Sequence, residues 1–199
     1  YTTNEDKASI EEAVSDLKRL SSMIAQAEEF IEQPERLQLL KKVEDDDNRL
    51  QKAASSIEIS LLAVESEYRE NVVPGSHRMG ALLNRAVEYF QRTNNNEAVR
   101  LTASAIQNLG TARSAASRFY QSRTEADAKR ANETIGFVGD DIKKLAPHIQ
   151  GPEGRALHDE LDKEYKAMLT AMAGVTARCK TYRDNIAEIE SITVTMRQS

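Results

Sequence analysis

The chain has no tryptophan, one cysteine, four prolines and eight glycines in 199 residues, and each shortage closes a route. With Cys179 alone, no internal disulfide can form and no multi-cysteine metal site can assemble. Scarce Gly and Pro, set against abundant Ala, Leu, Glu, Lys, Arg and Gln, is the composition of a helical protein. The alternating runs of Val, Ile, Tyr and Thr that read as strands are missing. No stretch of 18 apolar residues exists, so nothing here reads as a membrane-spanning helix, and no signal-peptide pattern appears. A basic excess is lacking as well. The net charge of −5 argues against a general nucleic-acid binder and against adhesion to an anionic membrane through a polybasic patch.

The signatures of catalysis are also missing. There is no Gly-rich phosphate loop, no GxSxG and no HExxH. His77, His148 and His158 lie in or near turns without a partner four residues away. The acidic runs 44-EDDD-47 and 140-DD-141 read as solvated helix faces, since a ferritin-like metal site wants Glu-x-x-His pairs on two helices. We expect no enzyme, no metal site and no cofactor.

What is present is helical periodicity. Ile10, Val14, Leu17, Leu20, Ile24, Ala27 and Ile31 recur in steps of three and four, which makes one amphipathic stripe. Pro34 suits the first turn of a second helix, reaching about residue 70. The stretch 72-VVPGS-76 predicts a turn. A helix over 78–90 follows, then 94-NNN-96, where Asn96 can cap a helix running through Leu109, Ala112, Ala116 and Phe119. Ser122 or Thr124 can cap the next, to about Leu145, and 147-PHIQGPEG-154 predicts a loop. The last helix, from Leu157 to Ile192, would reach about 65–70 Å if unbroken. The fold class is therefore all-α: an elongated antiparallel bundle of about six helices, arranged as two stacked four-helix-bundle modules. A weak internal repeat matches 27–50 with 116–145, suggesting duplicated halves of about 1–72 and 73–199 within a single domain, 1–199. The chain begins at Tyr1 and both ends lie in charged helical sequence, so we read it as an excised or processed piece of something longer.

Within 111-TARSAASRFYQSR-123, Arg113 and Arg118 straddle a seam of small residues. Five residues turn a helix through about 140°, so the two do not share one face. Small residues let a neighbouring helix approach or leave a gap, and guanidinium groups beside a gap offer bidentate donors to a carboxylate. Ser114, Ser117, Thr111 and Tyr120 could add neutral hydrogen bonds. Arg178 and Arg183, with Tyr182, form a second basic cluster on the last helix, and Arg78 and Arg85 return to one face. The residues leave two readings open: an anion pocket, or arginines that run along the bundle edge and pair with glutamates.

The run 72–132, with its Gly-containing turn, its polar interruption at 94-NNN-96 and its Ala112-Arg113 … Arg118-Phe119 pattern, resembles the helical bimodular sensor domain of bacterial chemoreceptors, the methyl-accepting chemotaxis proteins. The hairpin 150–169 is similar to that family's last one. The resemblance implies a periplasmic ligand-binding domain of an inner-membrane protein, tethered by flanking membrane helices outside this sequence, that dimerises and takes part in signal transduction. Its ligand would be a small organic anion held between helices by Arg113, Arg118, Ser114 and Tyr120, with Arg178 and Arg183 as further candidates. Aligning Phe30 with Phe119 sets Ile24 opposite Arg113 and Glu29 opposite Arg118, so the first half lacks the paired arginines. The sensor region of a histidine kinase and a purely structural dimerisation module are the competing functions.

Overall fold

The structure, a computed structural model, describes the backbone of residues 2–198 and the side chains of residues 8–9 and 11–196. Ile10, part of the first apolar stripe, lies outside the described side chains. Among the described residues there is no strand. Helix α1 spans Thr2–Glu28 and α2 spans Pro34–Glu67, which passes through a π-helical turn, Tyr68–Val72, directly into α3, Val73–Arg92. Helix α4 spans Asn96–Ser122 and α5 Glu125–Leu145; a 3-10 turn, Ala146–His148, then leads to α6, Gly151–Gln198. None of the helices among the described residues is long and apolar enough to cross a membrane.

The turn expected at 72–76 is not there. Pro74 lacks an N–H, and its ring would strike the carbonyl four residues earlier, so an unmodified α-helix could not continue through it. The chain widens instead: the Val73 N–H bonds to Tyr68 O, five residues back, and the π turn absorbs the proline without ending the helix. Gly75 then serves packing. A Cβ there would sit 3.3 Å from both Glu164 Oε1 and Met168 Cγ on α6.

The other breaks follow local capping chemistry. Asn95, not Asn96, caps α4, its side-chain oxygen accepting from the Ala98 N–H at 3.1 Å. Helix α4 ends where Arg123 turns left-handed at φ 54° and its N–H reaches Phe119 O at 2.8 Å. Thr124 caps α5 by accepting from the Asp127 N–H at 3.2 Å, which leaves Asp127 on the first turn, where the helix dipole favours a negative charge.

Two compact units result: Tyr1–Leu62 with Arg178–Ser199, and Ala63–Ala177. This differs from halves of 1–72 and 73–199, because the end of α6 groups with α1 and α2. In the first unit, Asn185 Nδ2 donates to Ser56 Oγ at 2.8 Å, and Ile24, Leu50, Ile57, Cys179 and Ile192 are buried. That unit draws on three helical segments, short of the four expected of a module. Among the described side chains of the α1 stripe only Ile24 is fully buried, with Val14, Leu17 and Leu20 half-buried.

The second unit has four helical segments around Met79, Leu83, Phe90, Leu109, Phe119, Ile135 and Leu161. Two glycines permit close approach there. A Cβ at Gly139 would strike the Tyr165 ring, and one at Gly154 the Tyr89 phenol. Arg78, Arg85 and Arg92, seven residues apart on α3, pair with Glu164, Glu160 and Glu153 on α6 at 2.8, 2.8 and 2.6 Å. The falling glutamate numbers show the two helices to be antiparallel. Each pair is solvent-exposed on the arginine side, so it contributes at most about 1 kcal/mol and mainly fixes register.

The acidic runs are only partly solvated. Asp46, Asp47 and Asp141 are buried. Asp47 Oδ2 accepts from Ser21 Oγ on α1 and from Gln51 Nε2 at 2.9 Å, while its Oδ1 is buried without a partner. Asp141 Oδ2 accepts from Ser104 Oγ at 3.0 Å and Asn108 Nδ2 at 2.7 Å, and its Oδ1 from Lys144 Nζ at 2.9 Å. In both units, then, an aspartate buried on one helix accepts a serine hydroxyl from the helix before it.

Burial alone would raise the Asp141 carboxyl's pKa, but the bonds from Lys144, Asn108 and Ser104 outweigh it and hold the group below the usual carboxylate range. The unfolded chain therefore takes up this proton first as pH falls. The stabilisation is complete above pH of about 4 and is lost as pH drops through the lower folded value. We expect Asp141→Ala to cost about 1–2 kcal/mol at pH 7, since it removes a buried acceptor of charge-assisted bonds whose donors are open to water. Urea unfolding at pH 7 and pH 3 checks this: the deficit should shrink at pH 3.

Candidate functional site

Helix α4 carries alanines at 112, 115 and 116, all buried, and their small side chains leave room beside α3. The resulting cleft has a volume of about 240 Å³. All four helical segments of the second unit line it. Tyr68 and Val72 come from the π turn, Val73, Ser76 and His77 from α3, Ala112, Arg113, Ala116 and Ser117 from α4, Ile135 from α5 and Met168 from α6. The lining includes no carboxylate. Arg113 is its fixed positive charge and His77 its one imidazole.

Arg113 sits at the mouth, and its Nη2 donates to the Ser76 backbone carbonyl. Gly80 on α3 makes this position available, since a Cβ there would lie 2.9 Å from Arg113 Nη2. Five N–H donors belong to a guanidinium, so one carbonyl leaves most of its donor capacity for water or a ligand.

Arg118 does not join it. Its Nε pairs with Asp127 Oδ1 at 3.0 Å, with the arginine side chain 71% exposed. Asp127 also accepts from Ser122 Oγ at 2.6 Å and Thr124 Oγ1 at 3.1 Å. The Ser122 bond above all, then Thr124 and the Arg118 charge, hold its carboxyl below the ordinary range against a smaller opposing effect of desolvation. Arg118 thus belongs to the α4–α5 cap and not to the cleft.

Ser114 is exposed and donates back to Gly110 O at 3.2 Å; Thr111 likewise returns its hydroxyl to Gln107 O at 3.3 Å. Tyr120 lies outside the lining but stacks on Tyr68, with centroids 4.2 Å apart and planes at 10°. Its hydroxyl is buried without a hydrogen-bond partner. Arg178 is exposed and Arg183 half-buried, both in the other compact unit, and neither lines the cleft.

The first unit has a groove of about 250 Å³ lined by Ser9, Ala13, Ala54, Ile57, Tyr182, Ile186 and Ile189, with no charged side chain. Ile24, aligned with Arg113, is buried there and contributes packing. Of the six candidate residues, the structure therefore keeps Arg113 at a cleft and Tyr120 beside it. Sequence reasoning named Ser117 but missed Tyr68, Ser76 and Met168. The signal that could have found Tyr68 is its place six residues before a proline that stays within a helix. Among the described residues no group of three or more His, Cys, Asp and Glu gathers as a metal site. No protein-family model matches this chain, and no curated protein matches it.

Gly80→Ala should add about 0.5–1 kcal/mol of helix preference while pushing the guanidinium off Ser76, a partly exposed bond worth about 1 kcal/mol. Equilibrium unfolding should give a net change within about 1 kcal/mol. The Gly80→Ala and Arg113→Ala effects should fail to add, as they do for residues in contact.

Proposed function

We propose that this chain is the extracytoplasmic sensor domain of a bacterial transmembrane chemoreceptor, and that it binds a small organic anion in the cleft at Arg113. The observation that carries the reading is that cleft: four helical segments surround it, no carboxylate lines it, and a guanidinium with spare donors stands at its mouth. An anion gains a charge-assisted, bidentate partner there, and nothing in the lining repels it.

The resemblance of residues 72–132 to the helical bimodular sensor domain supports the same function and a periplasmic location, in which membrane helices beyond this sequence would tether the domain. Signalling would follow from differential affinity. A ligand touching the π turn, α3, α4, α5 and α6 together favours the packing in which those surfaces fit it, and only that preference can shift the population. The exposed Phe30, Leu39, Ile59 and Leu62 of the first unit support self-association of two copies.

Thermal unfolding with a panel of mono- and dicarboxylates tests the reading. A ligand at one hundred times its dissociation constant stabilises by about 2.7 kcal/mol, or about 5–10 °C in Tm at this chain length. Arg113→Gln should erase that response, and Arg118→Ala should keep it. A panel without any response favours the structural dimerisation module instead, and a response that survives Arg113→Gln puts the binding site elsewhere than this cleft.

A further inference from the structure

The chemistry of the cleft narrows the ligand class. Only one guanidinium reaches it, because Arg118 is taken up by Asp127. Apart from Ser76, His77 and Ser117, the side chains that line the cleft with Arg113 are apolar, with the Tyr68 ring among them. A second carboxylate on a ligand would have to enter that apolar lining or turn back to solvent. Burying it without a charge partner costs far more than a single hydroxyl returns. An apolar body gains there by leaving water.

Size gives a second limit. A dry apolar cavity of about 150 Å³ holds benzene, or about 25 Å³ per non-hydrogen atom, so 240 Å³ accommodates about ten such atoms. Tyr68 adds a ring surface. Its phenol already stacks on Tyr120, which fixes its plane before a ligand arrives and limits the ordering cost of binding.

We infer that the cleft binds a monocarboxylate with an apolar or aromatic body of about ten non-hydrogen atoms, its carboxylate on Arg113 and its body against Tyr68, Val72, Ile135 and Met168. This rests on the anion-sensor reading above and makes it narrower. The Ser76 carbonyl holds the guanidinium at the mouth until the ligand supplies a better acceptor, and the ligand's apolar end lies against the π turn. The ligand therefore touches the segment in which α2 passes into α3, at the point where the helix departs from α-helical hydrogen bonding.

Isothermal titration of the whole 199-residue chain with phenylacetate, hexanoate, succinate and benzylamine tests this. Phenylacetate and hexanoate should bind at least about tenfold more tightly than succinate, and benzylamine should not bind. Arg113→Gln, which keeps a donor for Ser76, should weaken phenylacetate at least about tenfold. Ser117→Leu, which fills the cleft from α4 without touching Arg113's partner, should do the same while circular dichroism stays unchanged. If succinate binds best and depends on Arg113, the monocarboxylate inference is wrong and the anion sensor stands. Failure of every acid to bind overturns both. Tight phenylacetate binding that is indifferent to Arg113→Gln and to Ser117→Leu puts the site elsewhere and overturns the inference.

Discussion

A proline in the middle of a helix removes one hydrogen bond and drives its ring at a carbonyl, and this chain keeps Pro74 helical all the same. It does so by widening five residues, Tyr68–Val72, into a π turn, so that helical hydrogen bonding passes from the end of α2 into α3 without a break. The constraint has consequences beyond the backbone. Tyr68 and Val72 are brought onto the inner surface opposite α4, Gly75 lies close against α6, and the alanines of α4 leave the space between unfilled. A tight Pro-Gly turn at this place would have ended the helix and taken Tyr68 and Val72 away from the cleft they line.

Charge sorts the two central arginines. They stand five residues apart on α4 and so leave it in different directions. Arg118 finds a carboxylate already ordered by Ser122 and Thr124 at the start of α5, and the cap absorbs it. Arg113 faces α3 where no carboxylate lines the cleft, and takes a neutral carbonyl. A cation satisfied by a neutral acceptor retains an unmet preference for an anion, which an ion-paired one does not. Three further arginines of the second unit, Arg78, Arg85 and Arg92, form the α3–α6 ladder, where each meets a glutamate.

Much of the fold was legible because it depends on local chemistry. Periodicity placed α1, α4, α5 and α6, and Thr124 capped α5 as its side chain allows. The buried seam Leu109, Ala112, Ala116 and Phe119 followed from helical spacing alone. Apart from the cap at Asn95 in place of Asn96, which is local, the failures needed partners distant in sequence. Val-Pro-Gly signals a turn unless a π turn intervenes and a neighbouring helix wants the glycine's space. Asp141 looks like part of a charged face until Ser104 and Asn108 are brought to it from α4. The three-segment composition of the first unit depends on α6 running on into it from Arg178, a long-range grouping that no local pattern encodes. At the site, the type of residue was readable and its company was not. Arg113 and Arg118 look alike in sequence, and only the position of Asp127 separates them.

The most direct measurement is an NMR titration of the arginine side-chain N–H signals with phenylacetate, assigned by their loss in Arg113→Gln and Arg118→Gln. A guanidinium that exchanges the Ser76 carbonyl for a carboxylate should show a saturable shift at Arg113 while Arg118, held by Asp127, stays in place. Movement of Arg118 alone, or of neither, would contradict an anion site at the mouth of this cleft.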